Sequence, residues 1–553
     1  MNHAAPPAIA LRPPDTVMRL RRLGAAFPTR LSFTRILLRR LAAENARVER
    51  PLWDLDAEGN GRAVYSLALG VRTYSLVAFS NRLSDEQRTD RVIAEAWDTT
   101  FALFDGVPDN SDLDRLAANV PLQEAGRFRE SELVLSRANK SVRFFGHVVD
   151  RLAAGRQPDR AKLAEVGYLL RTTAVYGNGK FGIADRSVIE DRAELAAPFQ
   201  AEMLTVWLIR GFSHDLVEHV ARCRAPDTAV PLDPALKRHL GIGNSTGLGM
   251  APFLVNHPRL LDAWITARER ALAGALTLPL PANRMETLWQ QVSAHLDQWH
   301  VPDAALTERL DLLRREWHAA RDELPRGEGG SLWGNDLAAL GAFRSVDFQE
   351  LLAALLIEAA GPAVDRFCDS LAVRAEGRLR PDMPLATLSA LIDRHFDWAL
   401  GIDFATRQET ARFWYVSEEK LEPRLGERYD EPGMELESPL DIARQIQALR
   451  RDLDAAGTEE NTGMFAARLP QHRHAMRRVQ LAAEASYSEI RDNLIGADCL
   501  PIDMLRCKLA FFGASKFDPR SDRWTRITLF QGAPLSGESD GKSSDNSWLP
   551  VLP

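Results

Sequence analysis

The stretch RAVYSLALGVRTYSLVAFS, residues 62–80, carries the clearest strand pattern in the chain. β-Branched, aromatic and aliphatic residues on both sides of Gly70 favour extended backbone, and a glycine between two such runs is typical of a tight turn. The stretch therefore predicts two strands joined at Gly70. The segment TTFALFDGV, residues 99–107, is a candidate third strand, although the AEAW that precedes it also suits a helix.

Most of the chain outside this β element shows the apolar spacing of helices. The pattern over residues 304–324 is the best defined, because Leu306, Leu310 and Trp317 share one stripe and charged residues occupy the opposite face. Similar helical patterns cover residues 32–48, 131–152, 161–175, 194–223 and 258–272. The sequence predicts a mainly α, multi-helix architecture with a small β-hairpin or sheet element near residues 62–80.

The length of the chain predicts more than one structural unit. At 553 residues it exceeds the size at which single hydrophobic cores stop growing. The segment PRGEGGS, residues 325–331, combines proline and glycine and is the strongest candidate boundary. The predicted order is a basic N-terminal arm (1–50), an α-rich unit (51–324), a hinge (325–331), a second helical unit (332–533) and a disordered tail (534–553).

Charge and cysteine usage limit the possible partners and compartment. The formal net charge of −7 argues against nucleic-acid binding, and no apolar run approaches the length of a membrane-spanning helix. The four cysteines form no CxxC pair and are too sparse for a disulfide framework. We therefore expect a cytoplasmic protein with no nucleic-acid partner and no membrane span.

The basic character of the chain is concentrated at its start. Residues 1–50 contain ten arginines and three acidic residues. This composition favours an arm that packs on the body of the protein, with a transit peptide or a membrane-surface segment as alternatives.

A first glycine-rich segment, YGNGKFGIADR, occupies residues 176–186. Its glycines expose backbone N–H groups, and Lys180 and Arg186 add positive charge, a combination that suits an anion. Tyr176, Asn178 and Asp185 supply further polar groups. The alternative is a helix C-cap followed by an ordinary connection.

A second glycine-rich segment runs from Gly241 to Pro258 and contains Asn244, Ser245, Thr246 and His257. Small hydroxyl and amide side chains between glycines can donate hydrogen bonds to a carboxylate or phosphate. The segment is interpreted as a binding loop, and an irregular connection is the alternative.

Two helical patterns supply further candidate side chains. Arg143 lies one turn after Asn139 within the predicted helix 131–152, on a face that could bind an anion or simply contact solvent. His214 and Glu218 are also one turn apart, as are Asp215 and His219, and either pair could supply two metal ligands. Such pairs are also common as surface salt bridges.

These observations lead to the hypothesis of an enzyme that binds a small anionic metabolite between the glycine-rich segments and one polar helical face. General acid–base or lyase chemistry is slightly favoured. The residues expected to bind substrate are Arg143, Asn178, Lys180, Arg186, Asn244, Ser245 and Thr246. The residues expected to transfer a proton are Tyr176, Asp185 or His257.

Two other functions stay open. A helical interaction protein could use its basic arm to engage a partner, and a metal-dependent enzyme could use His214, Glu218 and His219. The sequence contains no motif for a particular cofactor, and it does not constrain the oligomeric state.

Overall fold

A computed structural model describes most of the chain. The described residues are 10–83, 97–121, 129–142, 144–172, 189, 191–246, 257–299, 304–324, 331–372, 377–404, 416–417, 420–421, 439–457, 459–492, 503, 506–514, 516–519 and 525–538. The chain divides into two compact units, and it passes between them more than once. The sheet unit comprises Ser32–Gly249, Val416–Arg424 and Phe512–Pro553, and the helical unit comprises Met1–Leu31, Met250–Tyr415 and Leu425–Phe511.

Strands in the described part of the chain are numbered in chain order. They are β1 (Glu49–Leu55), β2 (Gly61–Leu69), β3 (Arg72–Ser80), β4 (Thr99–Asp105), β5 (Glu132–Lys140), β6 (Tyr168–Thr172), β7 (Gly241–Thr246), β8 (Pro279–Pro281), β9 (Ser331–Trp333), β10 (Val416–Ser417), β11 (Lys420–Leu421), β12 (Lys516–Pro519) and β13 (Thr525–Leu529).

The α-helices are numbered in the same way. They are α1 (Pro14–Val17), α2 (Leu20–Leu23), α3 (Phe33–Ala43), α4 (Asn110–Asn119), α5 (Phe145–Ala153), α6 (Arg160–Val166), α7 (Gln200–Arg224), α8 (Pro234–His239), α9 (Pro258–Leu276), α10 (Ala282–Asp297), α11 (Ala304–Asp322), α12 (Gly334–Ala339), α13 (Val346–Ala360), α14 (Arg366–Asp369), α15 (Leu385–His395), α16 (Asp397–Leu400), α17 (Pro439–Asp454), α18 (Thr462–Arg468) and α19 (Arg473–Ala482). Short 3₁₀ turns lie at Ala193–Leu195, Gly361–Val364 and Pro470–His472, and a π-helical turn lies at Lys508–Phe512.

One large sheet organises the sheet unit. Nine strands of the described residues pair in the order β1-β2-β3-β4-β5-β6-β7-β13-β12. The hairpin predicted around Gly70 is present as β2 and β3, in which Leu69 pairs with Arg72. The candidate third strand is β4, which pairs antiparallel with β3. The β6–β7 pair is parallel, whereas the other pairs of this sheet are antiparallel.

The predicted mainly α architecture with a small β element is wrong, because this extended sheet is a major element of the fold. The stretches predicted as helices at 131–152 and 161–175 include strands β5 and β6, and the second glycine-rich segment begins as strand β7. Most β5 residues are buried, so the strand lacks the alternation of polar and apolar residues that would distinguish it from a buried helix.

Helices cover both faces of the sheet. On one face, Val64, Val77 and Ala102 form a hydrophobic cluster with Leu113 and Leu116 of α4. Tyr65 and Phe101, which point to the other face, pack edge-on against Phe212 of α7, with ring centroids 6.3 and 5.6 Å apart. This three-layer packing explains why central strands are apolar on both sides, and it places α7 directly across the sheet.

The helical unit contains the helices whose sequence patterns were clearest. The pattern at 304–324 is confirmed as α11, and the pattern at 258–272 is confirmed as the start of α9. Trp289 of α10 stacks on Trp317 of α11 at 3.9 Å between ring centroids, and both side chains are buried. Because these are among the largest fully buried side chains, they anchor the packing of the two helices.

Two arginines near the start of the chain, Arg12 and Arg30, pair with acidic side chains of the helical unit. Arg12 donates to Glu269 and Glu350, and Arg30 donates to Asp365 from Nε and Nη2 at 2.6 and 2.7 Å. Arg30 is fully buried. Within the helical unit, part of the basic arm therefore packs by charge-assisted hydrogen bonds.

Among the helices that the structure describes, none combines the length and the apolar character needed to cross a membrane.

Candidate functional site

A cavity of about 490 Å³ lies beside α7 in the sheet unit, and we call it the α7 cavity. Its walls come from α7, from β1 and β2, from α8 and from residues 535–536 near the end of the described chain. The polar residues that line it include Arg50, Tyr65, Arg210, His214, Asp215 and Lys237. Its volume lies within the range of about 300–1,000 Å³ that is usual for small-molecule sites.

Helix α7 places Arg210, His214 and Asp215 in the cavity wall. Arg210 and His214 are one helical turn apart and therefore share a face. Gly211 between them also lines the cavity, and a Cβ added there would meet no atom within 4 Å. The missing side chain thus leaves open space beside the two polar residues.

The guanidinium of Arg210 is buried and donates only to backbone carbonyls. Nε donates to the carbonyl of Leu240 at 2.7 Å, and Nη2 donates to Arg238 and Ala533 at 2.7 and 2.9 Å. Nη1 donates to the carbonyl of Pro534 at 3.1 Å. Burial lowers the pKa of Arg210 to about 9. Among the described residues, the acidic group whose charge acts on it is the exposed Glu538.

His214 is held as a neutral imidazole with one uncommitted nitrogen. The backbone of Leu240 lies close to its ring and favours a proton there, whereas Nε2 is buried and has no partner among the described residues. We assign the ring proton to Nδ1, and this assignment leaves a lone pair on Nε2. Burial lowers the pKa of His214 well below its ordinary value, and the nearby charges of Arg210 and Lys237 lower this pKa further.

Asp215 joins the helix to the sheet at the rim of the cavity. Its Oδ2 accepts from Arg50 Nη1 at 3.0 Å and from the Tyr65 hydroxyl at 2.7 Å. Arg50 also lies over the ring of Trp53, at 4.5 Å from the ring centroid. Burial, followed by the Asp215 charge, raises the pKa of Tyr65 far above its ordinary value, so the phenol remains protonated and donates.

The residues proposed as metal ligands have other partners in this structure. Glu218 accepts from Lys237 Nζ at 2.9 Å and from the backbone N–H of Leu232 at 3.1 Å. His219 Nε2 lies 2.7 Å from the carbonyl of Asp56, and its Nδ1 accepts from Trp53 Nε1 at 3.3 Å. Over the ranges that the structure describes, no group of three or more His, Cys, Asp and Glu residues could hold a metal ion.

Six of the residues predicted to form the site lie outside the described residues. They are Arg143 and the members of the first glycine-rich segment, Tyr176, Asn178, Lys180, Asp185 and Arg186. Their roles remain predictions. The helix predicted around Arg143 is replaced by strand β5 up to Lys140, and α5 begins at Phe145.

The second glycine-rich segment begins as a strand. Asn244 of β7 is buried, and its side-chain amide donates to the carbonyl of Thr172 on the neighbouring β6 at 2.9 Å. The backbones of Ser245 and Thr246 pair with β13 on the other side. The interpretation of residues 241–246 as a loop is therefore wrong, because strand pairing on both sides fixes this backbone. His257 is buried immediately before α9 and belongs to the helical unit.

Of the polar residues of the α7 cavity, His214 and Asp215 were predicted from sequence as possible metal ligands, whereas Tyr65, Arg210 and Lys237 were not predicted. A signal for Arg210 was available in the segment TVWLIRGFSHDLV, residues 205–217, where arginine and histidine interrupt an apolar helix one turn apart. A charged side chain in a buried helix carries a desolvation cost, so it marks a structural or functional site. No comparable signal connects Arg50 or Lys237 with α7.

No protein-family model, no curated protein and no solved structure matches this chain.

Proposed function

We propose that the sheet unit binds a small organic anion in the α7 cavity and that the protein acts on this anion as an enzyme. The observation that carries the proposal is the pair formed by Arg210 and His214. Both side chains are buried, both line one cavity, and neither has a carboxylate partner among the described residues. A bound anion would add a negative charge beside the buried guanidinium of Arg210.

The other charges of the lining favour the same class of ligand. Three cationic residues, Arg50, Arg210 and Lys237, line the cavity together with one carboxylate, Asp215. The side chain of Lys237 is 21% exposed and that of Arg50 is 45% exposed. Both can therefore contact a ligand while they keep their ion pairs with Glu218 and Asp215. An anion in this position would form charge-assisted hydrogen bonds.

The enzymatic part of the proposal rests on His214. Because its imidazole is neutral and its Nε2 lone pair is unused, it is the residue of this cavity best suited to accept a proton. An anion bound among Arg210, Lys237 and His214 would favour the imidazolium form, so its binding would raise the pKa of His214. This would strengthen a base that burial otherwise weakens.

Binding of simple anions by the full chain tests the proposal. Isothermal titration with acetate, succinate, malate, phosphate and glycerol 3-phosphate should reveal at least one ligand for the wild type. Lys237→Gln should weaken the binding of this ligand about tenfold or more, because a charge-assisted hydrogen bond is lost. Lys162→Gln is the matched control, because Lys162 is an exposed lysine of α6 in the same unit and does not line the cavity.

The proposal fails if the wild type binds none of these anions, or if Lys237→Gln and Lys162→Gln bind the ligand equally well. Thermal unfolding provides a second readout, because a ligand that binds only the native state raises the melting temperature of the protein.

We also propose a cytoplasmic location and the absence of a nucleic-acid partner. The cysteines that the structure describes, Cys223, Cys368 and Cys507, are all unbridged, which suits a reducing compartment. The formal net charge of −7 disfavours a polyanionic partner.

A further inference from the structure

The α7 cavity contains an acceptor that the protein itself does not use. Both donors to the Asp215 carboxylate, Arg50 Nη1 and the Tyr65 hydroxyl, contact the same oxygen, Oδ2. Oδ1 has no hydrogen-bond donor among the described residues. The side chain is 31% exposed and lines the cavity, so a ligand can reach this oxygen.

A second unused acceptor lies on the preceding residue, His214. The carbonyl of Leu240 accepts from Arg210 Nε, and the Leu240 backbone also favours a proton on the His214 ring. With this proton assigned to Nδ1, Nε2 is an acceptor. Because Nε2 is buried without a partner among the described residues, the site carries the cost of an unsatisfied polar group. A donor on the ligand that reaches Nε2 would remove this cost.

The two unused acceptors, Asp215 Oδ1 and His214 Nε2, therefore line the same cavity as the cationic groups of Arg210 and Lys237. An acid with no other polar group would satisfy the cations but would leave both acceptors without a donor. It would also bring its own negative charge close to Asp215, which is unfavourable unless a donor lies between them. The arrangement selects a ligand with two kinds of polar group.

We propose that the ligand of the α7 cavity is a small organic acid that also carries a hydrogen-bond donor, a hydroxyl or an ammonium group, and that Asp215 Oδ1 accepts from this donor. The inference rests on the anion-binding function proposed above and adds the class of ligand. Asp215 thereby discriminates between acids, while Lys237 contributes to the affinity for all of them.

Three acids that differ at one position test this selection. Succinate carries no donor on its carbon chain, malate adds a hydroxyl group, and aspartate adds an ammonium group. In titrations of the full chain, we expect malate or aspartate to bind about ten- to a hundredfold more tightly than succinate, as for a hydrogen bond to a charged acceptor. Which of the two binds more tightly identifies the donor.

Two variants assign the selection to Asp215. In Asp215→Asn the carbonyl oxygen can still accept from Tyr65, and the amide then places a donor where Oδ1 was, so the preference over succinate should disappear. Tyr65→Phe removes a donor to the same carboxylate but leaves Oδ1 free, so this variant should retain the preference. Tyr65→Phe is therefore the control for a general disturbance of the hydrogen bonds to Asp215 at the rim of the cavity.

The outcomes separate this inference from the proposal on which it rests. If all three acids bind with equal affinity to the wild type and to Asp215→Asn, the selection by Asp215 is refuted, although anion binding stands. If none of the three binds and the anion panel is also negative, the anion-binding function is itself refuted. If Asp215→Asn still binds malate or aspartate more tightly than succinate, the donor of the ligand contacts another acceptor, and the inference is overturned.

Discussion

A buried histidine of the helical unit should make this protein less stable in acid. His295 of α10 is buried between the rings of Phe27 and Trp299, with centroids 6.0 and 5.3 Å away, and it forms a hydrogen bond with the backbone of Ala26. Its other ring nitrogen, Nε2, has no partner among the described residues. Burial lowers the pKa of His295 from 6.5 to about 4, although the Ala26 bond partly opposes this shift.

The magnitude and sign of this pH effect on stability follow from the linkage between proton binding at His295 and folding. In the unfolded chain His295 binds a proton near pH 6.5, whereas in the folded protein it does so only near pH 4. The stability that depends on neutral His295 is therefore fully present above pH 6.5 and is lost as the pH falls toward 4. One pKa unit corresponds to about 1.4 kcal/mol, so the complete loss amounts to about 3 kcal/mol.

His295→Gln isolates this contribution. Glutamine can still donate to the Ala26 carbonyl but does not titrate, and all other ionisable groups remain the same in both proteins. Urea unfolding of both proteins, followed by tryptophan fluorescence from pH 7.5 to 4.5, gives the difference in their free energies of unfolding. We expect the wild type to lose about 2–3 kcal/mol relative to the variant between pH 6.5 and 4.5. A difference that stays constant with pH would refute the reasoning.

Two further predictions concern stability, and each compares a variant with a matched control. Asp347→Asn should cost about 3–5 kcal/mol in urea unfolding, because this buried carboxylate accepts two bonds from Arg309 at 2.6 and 2.8 Å and also pairs with the buried Arg506 at 2.8 Å. Its loss leaves these two cations to share one carboxylate, Asp503. Asp393→Asn is the matched control. The side chain of Asp393 is 54% exposed and pairs with Arg450, so its loss should cost less than about 1 kcal/mol in the same assay. Gly61→Ala should lower the melting temperature, because Gly61 has a φ of +136° and an added Cβ would collide with the carbonyl of Asp54. Gly70→Asn is the control and should have little effect on the melting temperature. Gly70 has a φ of +63°, and no atom lies within 3.4 Å of its added Cβ. Equal costs for the two aspartate variants, or equal melting temperatures for the two glycine variants, would contradict these assignments.

The elements that were predictable from sequence are those with a strong local signal. Helix α11 showed an apolar stripe opposite charged residues, and the hairpin around Gly70 combined two β-rich runs with a turn residue. Strands β5 and β6 were missed because helices cover the sheet on both sides and remove the alternating pattern. Strand β7 was missed because its sequence, GIGNST, has low strand propensity, and the pairing with β6 and β13 overrides that propensity.

The candidate site was mostly beyond prediction because its residues are far apart in sequence. Arg50 precedes Asp215 by 165 positions, and the two meet because β1 and β2 lie in the sheet across which α7 packs. Local spacing could reveal only the residues on α7, which are Arg210, His214 and Asp215. The assignment of the anion to glycine-rich segments relied on composition, which does not indicate which segments pair as strands.

The most direct test of the central claim is an NMR titration of His214 in the full chain labelled with ¹³C at histidine Cε1. His214→Leu identifies the resonance by its loss, and malate and succinate serve as probes. The charged groups that line the cavity around the ring are Arg210, Asp215, Lys237 and Arg50, and an added anion offsets the excess of positive charge. We expect the pKa of His214 to lie well below 6.5 in the free protein and to rise when malate binds. A His214 resonance that titrates identically with and without saturating ligand would contradict anion binding in the α7 cavity.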